Sequence, residues 1–410
     1  MERERSFHWA WIILATGFVN LFINYSVRLG YGVVLPEMIR DLSLSRTAGG
    51  SIYNAYLFAY VSLTPLTGIL TDRLGARRVI ACCAFILAAG VTLMGTVESL
   101  WLACLAFAIA GLGATGMWTP VITVVQRWFA PHRRGLALGI LSTGYGLGFA
   151  TMGVAFPWIV RNFTWRYAWY VLGAAALVLV VVNGSLLKSD PESSGWKPWD
   201  QRDVPEPPKL PPGQSDARSL SSVFKNPVFW LIGVSYFAIT FSFYGITTFM
   251  VDYARHELGL PLAKASFLAT IHGLGQIAGV LILLPLSDYW GRKRTIIVSN
   301  GFITLCLIGV LWSGNSWIIL YIMVGVLAVF SGAIFPIYGA CAGDYFPKEL
   351  MGTVIGTWTP FYGVGAIVVH WVSGIIRDAT GSYHLAFMIT TIMAAVSICF
   401  IYFVEKSSKQ

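Results

Sequence analysis

An arginine stands inside the first long apolar run of the chain, where a charge requires an explanation. Arg28 lies 9 to 13 residues before Glu37, Arg40 and Asp41, which mark the outer end of that run. At 1.5 Å per helical residue this is a depth of roughly 14–20 Å. An arginine in hydrocarbon costs several kcal/mol unless it faces protein or water. Because a guanidinium stays charged and binds a carboxylate with two parallel hydrogen bonds, Arg28 indicates a site for an organic anion.

Three further polar residues share the predicted helix with Arg28. Asn20, Asn24, Arg28 and Tyr31 follow each other at spacings of four, four and three residues, which places them on one helix face. Such a stripe predicts a wet cavity, with Asn24, Arg28 and Tyr31 as substrate-binding candidates. The alternatives are a structural pairing of Arg28 with a neighbouring helix or a position near the outer headgroups.

A second polar pair lies in the eighth apolar run. His272 and Gln276 are one turn apart on one face and can both donate hydrogen bonds to a substrate. His272 can also titrate near neutral pH and is the candidate proton carrier, since the runs lack a clear central Asp or Glu. The alternative for His272 is a buried hydrogen bond between helices.

Aromatic residues supply the rest of the candidate site. The predicted substrate-binding aromatics are Trp118, Tyr145, Tyr338, Trp358 and Tyr362, with Tyr56, Tyr60 and Tyr244 as further cavity-shaping candidates. At 14% aromatic content, most such side chains serve packing or the membrane interface.

The amino-acid composition indicates which kind of protein positions these residues. Of the 410 residues 56% are hydrophobic and only 11% are charged, against about a quarter charged in soluble domains. This excludes a soluble enzyme, a nucleic-acid-binding protein and a disordered scaffold, and predicts an all-α integral membrane protein. Twelve apolar runs are long enough to cross a bilayer: 9–36, 47–71, 79–97, 100–126, 135–160, 167–187, 227–251, 263–287, 295–313, 316–343, 351–376 and 383–404.

The twelve runs divide into two sets of six. We predict an N-terminal six-helix bundle at 1–187, a proline-rich cytoplasmic linker at 188–226 and a C-terminal six-helix bundle at 227–410. With both termini inside, 20 of the 28 Lys and Arg residues fall on the cytoplasmic side and seven on the other. The positive-inside rule therefore places both termini in the cytoplasm. The expected membrane is the plasma membrane, which in a bacterium is the inner membrane.

Two motifs recur between the halves. Asp72 and Asp288 open similar turns 216 residues apart, and the Phe-Pro segments at 129–139 and 346–356 repeat at an offset of 217. Two motifs at nearly one offset predict a duplicated six-helix unit. The first copy contains Gly68, Asp72, Arg73, Gly75, Arg77 and Arg78, and the second contains Asp288, Gly291 and Arg292.

With this signature the chain resembles the transporters of the major facilitator superfamily, which implies two pseudo-symmetric six-helix bundles. The resemblance implies that the nine motif residues form a gate, which holds the cytoplasmic side closed in the outward-open state. Leu284 and Tyr289 replace Gly68 and Arg73 in the second copy, so its latch is expected to be weaker.

Within the superfamily the chain is similar to the monocarboxylate and oxalate/formate porters. This similarity is carried by the segments 127–129, 133–139, 162–166 and 378–383. It implies short carboxylates as substrates, moved with a proton or by anion exchange. One departure is that residues 269–280 of the eighth run contain no arginine, whereas in this family an arginine there usually binds the carboxylate.

The residues and the resemblance together predict a secondary active transporter of small organic anions. The expected substrates are lactate- or pyruvate-like monocarboxylates, coupled to protons and bound by Arg28 during alternating access. Alternatives are an exchanger or symporter of a dicarboxylate or sugar acid, and, less favoured, a drug exporter.

The apolar runs lack the residue pattern of a membrane-embedded enzyme. The six cysteines lack ligand spacing, so the sequence predicts neither a metal nor a cofactor. The expected partners are the substrate anion, a proton and the lipid bilayer, with no nucleic acid and a monomeric chain.

Overall fold

The architecture comes from a computed structural model that describes residues 8–200, 220–314, 316–346 and 351–405. Its regular elements are α-helices joined by short turns. The N-terminal half contains α1 Ala10–Arg28, α2 Tyr31–Asp41, α3 Arg46–Leu74, α4 Ala76–Met94, α5 Leu100–Ala114, α6 Thr119–Trp128, α7 Arg134–Asn162 and α8 Trp165–Leu186. The C-terminal half contains α9 Leu220–Lys225, α10 Pro227–His256, α11 Leu262–Trp290, α12 Arg292–Trp312, α13 Trp317–Ser331, α14 Ile334–Tyr345, α15 Met351–Thr380 and α16 His384–Tyr402.

These helices form twelve membrane segments, six in each half, because three segments consist of two helices in series. The paired helices are α1 with α2, α5 with α6, and α13 with α14. Within the described ranges, eleven segments are long and apolar enough to cross a membrane, and α3, with 29 residues, is the twelfth. The predicted all-α fold of two six-helix halves is confirmed. A helix suits this environment because it satisfies its own backbone hydrogen bonds in hydrocarbon.

Local sequence signals set several helix ends. The side chains of Ser45, Ser99, Asn226 and Ser316 cap the first turns of α3, α5, α10 and α13 by accepting backbone N–H groups. The turns after α3 and α11 contain Gly75 and Gly291, whose φ angles of +85° and +86° favour glycine.

The two halves meet at one end of the bundle and separate at the other. We call the end with Leu186 and Pro227 the linker end, and the opposite end, with Asp41 and His256, the far end. Toward the far end, Asn54 Nδ2 donates to Ile367 O at 3.0 Å and Trp371 Nε1 donates to Ser51 Oγ at 3.0 Å. Toward the linker end, a Cβ added at any of four glycines would meet no atom within 4 Å: Gly68, Gly139, Gly339 and Gly356. Because every hydrogen bond between the halves that the described residues make lies in the middle or toward the far end, the structure is closed at the far end and open at the linker end.

Segments five and eight, α7 and α11, form a close contact between the halves. Thr270 Oγ1 donates to Ala150 O at 2.8 Å across it. A Cβ on Gly273 would lie 2.5 Å from Ala150 N and closer still to Gly146 O. Small residues let helix backbones approach in membranes, which is why this contact depends on glycine.

Gly273→Ala is expected to destabilise the protein by about 1–3 kcal/mol, because the new methyl group must push α7 and α11 apart. The matched control is Gly339→Ala, where a Cβ meets open space and alanine is the better helix former. Thermal unfolding in detergent should show a lower Tm for Gly273→Ala alone. Equal Tm values for the two variants would contradict this reading of the contact.

Part of the segment predicted as a linker packs against the N-terminal half. Trp199 N donates to Trp128 O at 2.8 Å, and the Trp199 ring lies 5.0 Å from that of Trp11. Asp200 accepts from Arg133 Nε at 2.6 Å and lies 3.0 Å from His132 Nε2, and these two donors lower the pKa of its carboxyl group. Residues 188–200 thus cover the linker end of the N-terminal half, whereas 201–219 lie outside the described residues.

Candidate functional site

Arg28 is the last residue of α1 and lies at the interface between the halves. Its side chain is 2% exposed. The guanidinium carbon Cζ lies near the rings of five tyrosines: Tyr60 at 4.8 Å, Tyr362 at 5.6 Å, Tyr25 at 5.7 Å, Tyr244 at 5.8 Å and Tyr56 at 6.0 Å. Attraction between a cation and aromatic rings offsets part of the cost of burying the charge.

The guanidinium is incompletely bonded. Arg28 Nη2 donates to the hydroxyl of Tyr362, which lies 2.6 Å from the hydroxyl of Tyr244. Arg28 Nε has no hydrogen-bond partner, and within the described residues no carboxylate lies within salt-bridge distance of Arg28. Since a buried charge without a counter-ion is costly, this site has the charge and the free donor that suit a bound anion.

Breaks in three membrane segments surround this position. The first segment breaks between Arg28 and Tyr31, the fourth at Thr115–Met117, and the tenth at 332–333. A break frees backbone groups from the helix, and the Tyr145 hydroxyl donates to the freed carbonyl of Gly332 across the two halves.

A narrow cavity lies beside the tyrosine cluster. Its apolar wall consists of Leu29, Phe243, Phe335 and Pro336, and its remaining lining residues are Tyr25, Trp118, Tyr145, Tyr244 and Gln276. Tyr25 and Tyr244 line the cavity and also contact Arg28, so the cavity and the cation belong to one site.

Helix α11 contributes the uncharged polar part of this site. Gln276 is buried and its Oε1 has no partner. His272 is fully buried beside Gln276, between the rings of Phe149 at 5.5 Å and Phe243 at 5.8 Å. Gln276 is the polar side chain next to its ring, but neither ring nitrogen makes a hydrogen bond of ordinary geometry.

The structure brings together six of the predicted binding residues: Arg28, Trp118, Tyr145, His272, Gln276 and Tyr362. Three other predicted binding residues form hydrogen bonds away from this site. Tyr31 donates to Gly49 O at 2.7 Å inside the N-terminal half, Tyr338 lies 2.6 Å from Ser235 Oγ, and Trp358 Nε1 donates to Phe229 O.

Asn24 is buried, and neither of its amide atoms has a partner. The expected wet stripe on α1 is divided, because Asn20 exchanges hydrogen bonds with Asn183 of α8.

Sequence reasoning missed five lining residues: Tyr25, Leu29, Phe243, Phe335 and Pro336. Tyr25 had a usable signal, since it precedes Arg28 by three residues and shares its helix face. The other four are apolar residues in apolar runs and carry no local signal.

Polar bonds hold the far end closed. Asp252 of α10 is fully buried and accepts from Arg46 Nε of α3 at 3.3 Å and from the Tyr383 hydroxyl at 2.8 Å. Asp378 of α15 accepts the backbone N–H groups of Arg46 and Thr47 at 2.8 and 2.9 Å. We call Arg46, Thr47, Asp252 and Asp378 the far-end latch, because its bonds join the two halves.

The predicted gating motif lies at the open linker end. Asp72, Arg73 and Arg78 are exposed and form no ion pair with any described residue. Arg77 donates to Gly184 O at 2.9 Å, within its own half. In the second copy, Arg292 pairs with Asp288 on the same half. Within the part of the chain that the structure describes, the motif therefore makes no bond between the halves.

Comparison with known proteins identifies one family and several transporters that resemble this chain. The sequence profile of the Major Facilitator Superfamily matches residues 17–265 and 233–410. A probable galactarate/D-glucarate transporter of Escherichia coli K12 is 22% identical, with 98% of this chain and 96% of that protein covered. The hexuronate transporter of Bacillus subtilis is 24% identical, with 90% and 88% covered. Monocarboxylate transporter 13 of Rattus norvegicus is 23% identical, with 93% and 85% covered.

Solved structures share the fold. A bacterial homolog of the human lysosomal transporter Spinster, in an inward-facing and unoccupied conformation, superposes with a TM-score of 0.75 at 15% identity, covering 96% of each chain.

Proposed function

The chain belongs to the Major Facilitator Superfamily, and we propose that it transports small organic anions that carry one carboxylate, with Arg28 binding that carboxylate. The observation that carries the proposal is the buried Arg28 guanidinium, which has a free Nε donor and no carboxylate partner among the described residues. A substrate carboxylate would supply the missing counter-ion through charge-assisted hydrogen bonds.

The charge inventory supports a single carboxylate. Arg28 is the one buried Lys or Arg side chain within the described ranges. A second carboxylate in the cavity would therefore lack a cation, and burying it unpaired is costly. Lactate- or pyruvate-like acids and sugar acids with one carboxylate both meet this condition.

The relatives support the anionic class. The names of two of them specify sugar acids, galactarate/D-glucarate and hexuronate, and a third is a monocarboxylate transporter. Substrates of all three kinds are organic anions, which agrees with an arginine as the binding residue.

Alternating access is the proposed mechanism, with both termini in the cytoplasm. In that orientation the open linker end faces the cytoplasm, and the closed far-end latch seals the outside. Arg28 of one half bonds to Tyr362 of the other, so a substrate that binds Arg28 competes with a contact between the halves. We propose that the gating motif closes the linker end once the far-end latch has opened.

The direct test is uptake into proteoliposomes. Purified protein should accumulate labelled lactate or D-gluconate, and unlabelled organic anions should compete with the label while nucleosides and cationic drugs should not. Uptake confined to nucleosides or cations would overturn the proposal.

Proton coupling is the second part of the proposal, with His272 as the proton carrier. The two buried carboxylates of the described residues, Glu37 and Asp252, both have basic partners near the far end. His272 is the imidazole beside the cavity, and its neighbours Phe149, Phe243 and Gln276 carry no charge.

An inside-alkaline pH gradient is expected to raise wild-type uptake severalfold over uptake without a gradient. In His272→Gln this ratio should fall to about one, because glutamine cannot carry the proton. The matched control is His384→Gln, at the exposed start of α16, which should keep the wild-type ratio. A wild-type ratio in His272→Gln would show that the proton takes another route.

A further inference from the structure

The α11 side of the cavity has polar groups that a carboxylate on Arg28 leaves unused. Gln276 lines the cavity, is 1% exposed and has an unpartnered Oε1. His272, one turn earlier, does not itself line the cavity but packs on Phe243, which does, and neither of its ring nitrogens makes a hydrogen bond of ordinary geometry. A buried polar atom without a partner costs about 1–3 kcal/mol. Gln276, at the cavity wall with His272 beside it, is therefore expected to find a partner for its Oε1 in a ligand.

The chemistry of these groups limits what they can bind. An amide and a neutral imidazole each present both a donor and an acceptor, which matches a hydroxyl group. Their surroundings are aromatic, and within the described residues no cation other than Arg28 is buried near the cavity. This wall thus suits hydroxyl groups and disfavours a second carboxylate.

The position of the wall relative to Arg28 sets the length of the ligand. Arg28 does not itself line the cavity, but Tyr25 and Tyr244 line it and also lie 5.7 and 5.8 Å from the guanidinium carbon. A ligand that touches both Arg28 and Gln276 must therefore extend along these tyrosine rings. Several carbon atoms must separate its carboxylate from the hydroxyl groups that are bound.

We propose that Gln276, with His272 beside it in its unprotonated form, forms an uncharged subsite for the hydroxyl groups of a sugar acid whose single carboxylate lies on Arg28. The preferred substrates are then aldonates and uronates, ahead of alkyl carboxylates and of sugar acids with two carboxylates. This inference rests on the proposed function, since it assumes the carboxylate on Arg28.

The test compares ligands that differ in one property. D-Gluconate and hexanoate share six carbons and one carboxylate but differ in hydroxyl groups, galactarate adds a second carboxylate, and lactate is short. Binding to the purified full-length protein is measured by calorimetry. Wild type should bind D-gluconate at least about tenfold more tightly than each of the other three, because each neutral hydrogen bond contributes to the preference.

Substitution of the subsite should remove the preference. In Gln276→Leu the affinity ratio of D-gluconate to hexanoate should fall to about one, and Gln276→Met, of similar volume, provides a second variant if the first does not fold. The matched control is Gln126→Leu on α6 at the linker end, which should keep the wild-type ratio.

The two levels of the proposal fail in different ways. Arg28-dependent binding with equal affinity for D-gluconate and hexanoate, tighter binding of galactarate, or an unchanged ratio in Gln276→Leu would overturn the subsite alone. Binding that survives Arg28→Gln, or no binding of any of the four acids, would overturn the proposed function and the subsite with it.

Discussion

Arg28→Gln is expected to lower uptake of organic anions at least about 30-fold while the protein remains folded. Removing one partner of a buried, hydrogen-bonded charge pair costs about 2–5 kcal/mol, and every 1.4 kcal/mol is tenfold. Glutamine keeps a polar side chain but loses the charge and the two-pronged geometry. Arg28→Lys should be intermediate, since it keeps the charge and loses the fork.

Stability should respond in the opposite direction from transport. Arg28 is a buried cation without a carboxylate partner among the described residues, so neutralising it removes a cost rather than a salt bridge. We expect the Tm of Arg28→Gln to equal or exceed that of wild type, as a thermal-shift measurement would detect. The charge-matched control is Arg161→Gln, at the exposed end of α7, which should keep full uptake. Normal uptake by Arg28→Gln would exclude Arg28 as the carboxylate ligand.

Asp252→Asn is expected to open the far end. The Asp252 carboxylate is fully buried and bonds to Arg46 of the other half, and breaking one partner of a buried pair costs about 3–5 kcal/mol. The amides of Arg46 and Thr47 report the result directly, because Asp378 of the other half accepts both of them. Hydrogen–deuterium exchange of these two amides should accelerate at least about tenfold.

The control for this prediction is Asp344→Asn, an exposed carboxylate at the linker end. It removes the same charge without touching the latch, and the exchange of the amides of Arg46 and Thr47 should stay at the wild-type rate. If Asp252→Asn also left that rate unchanged, the ion pair with Arg46 would not hold the far end closed.

The sequence marks residues of the candidate site most clearly where a residue is out of place in its local surroundings. Arg28 is a charge in an apolar run, and His272 and Gln276 are polar residues in another, so each was visible without knowledge of the fold. The polar stripe also predicts Tyr31 and the aromatic pattern predicts Tyr338, yet the structure bonds them to Gly49 and Ser235. A helix in a bundle has neighbours on several sides, so a polar face can serve a helix contact as well as a cavity.

The far-end latch was hidden for a related reason. Asp252 and Asp378 lie 126 residues apart, and Arg46 lies in the other half. Each of them looks like an ordinary charged residue near the end of a membrane segment. Only the approach of α3 to α10 and α15 turns them into a set of bonds between the halves.

Local physical properties therefore explain what the sequence determined by itself. Hydropathy over about 20 residues sets the number of membrane segments, the duplicated motifs predict the two six-helix units, and an isolated charge marks the candidate site. The tertiary structure decided which polar side chains meet, where segments one, four and ten break, and which end is closed. Those features depend on how helices distant in the chain pack against each other, and no local pattern encodes that packing.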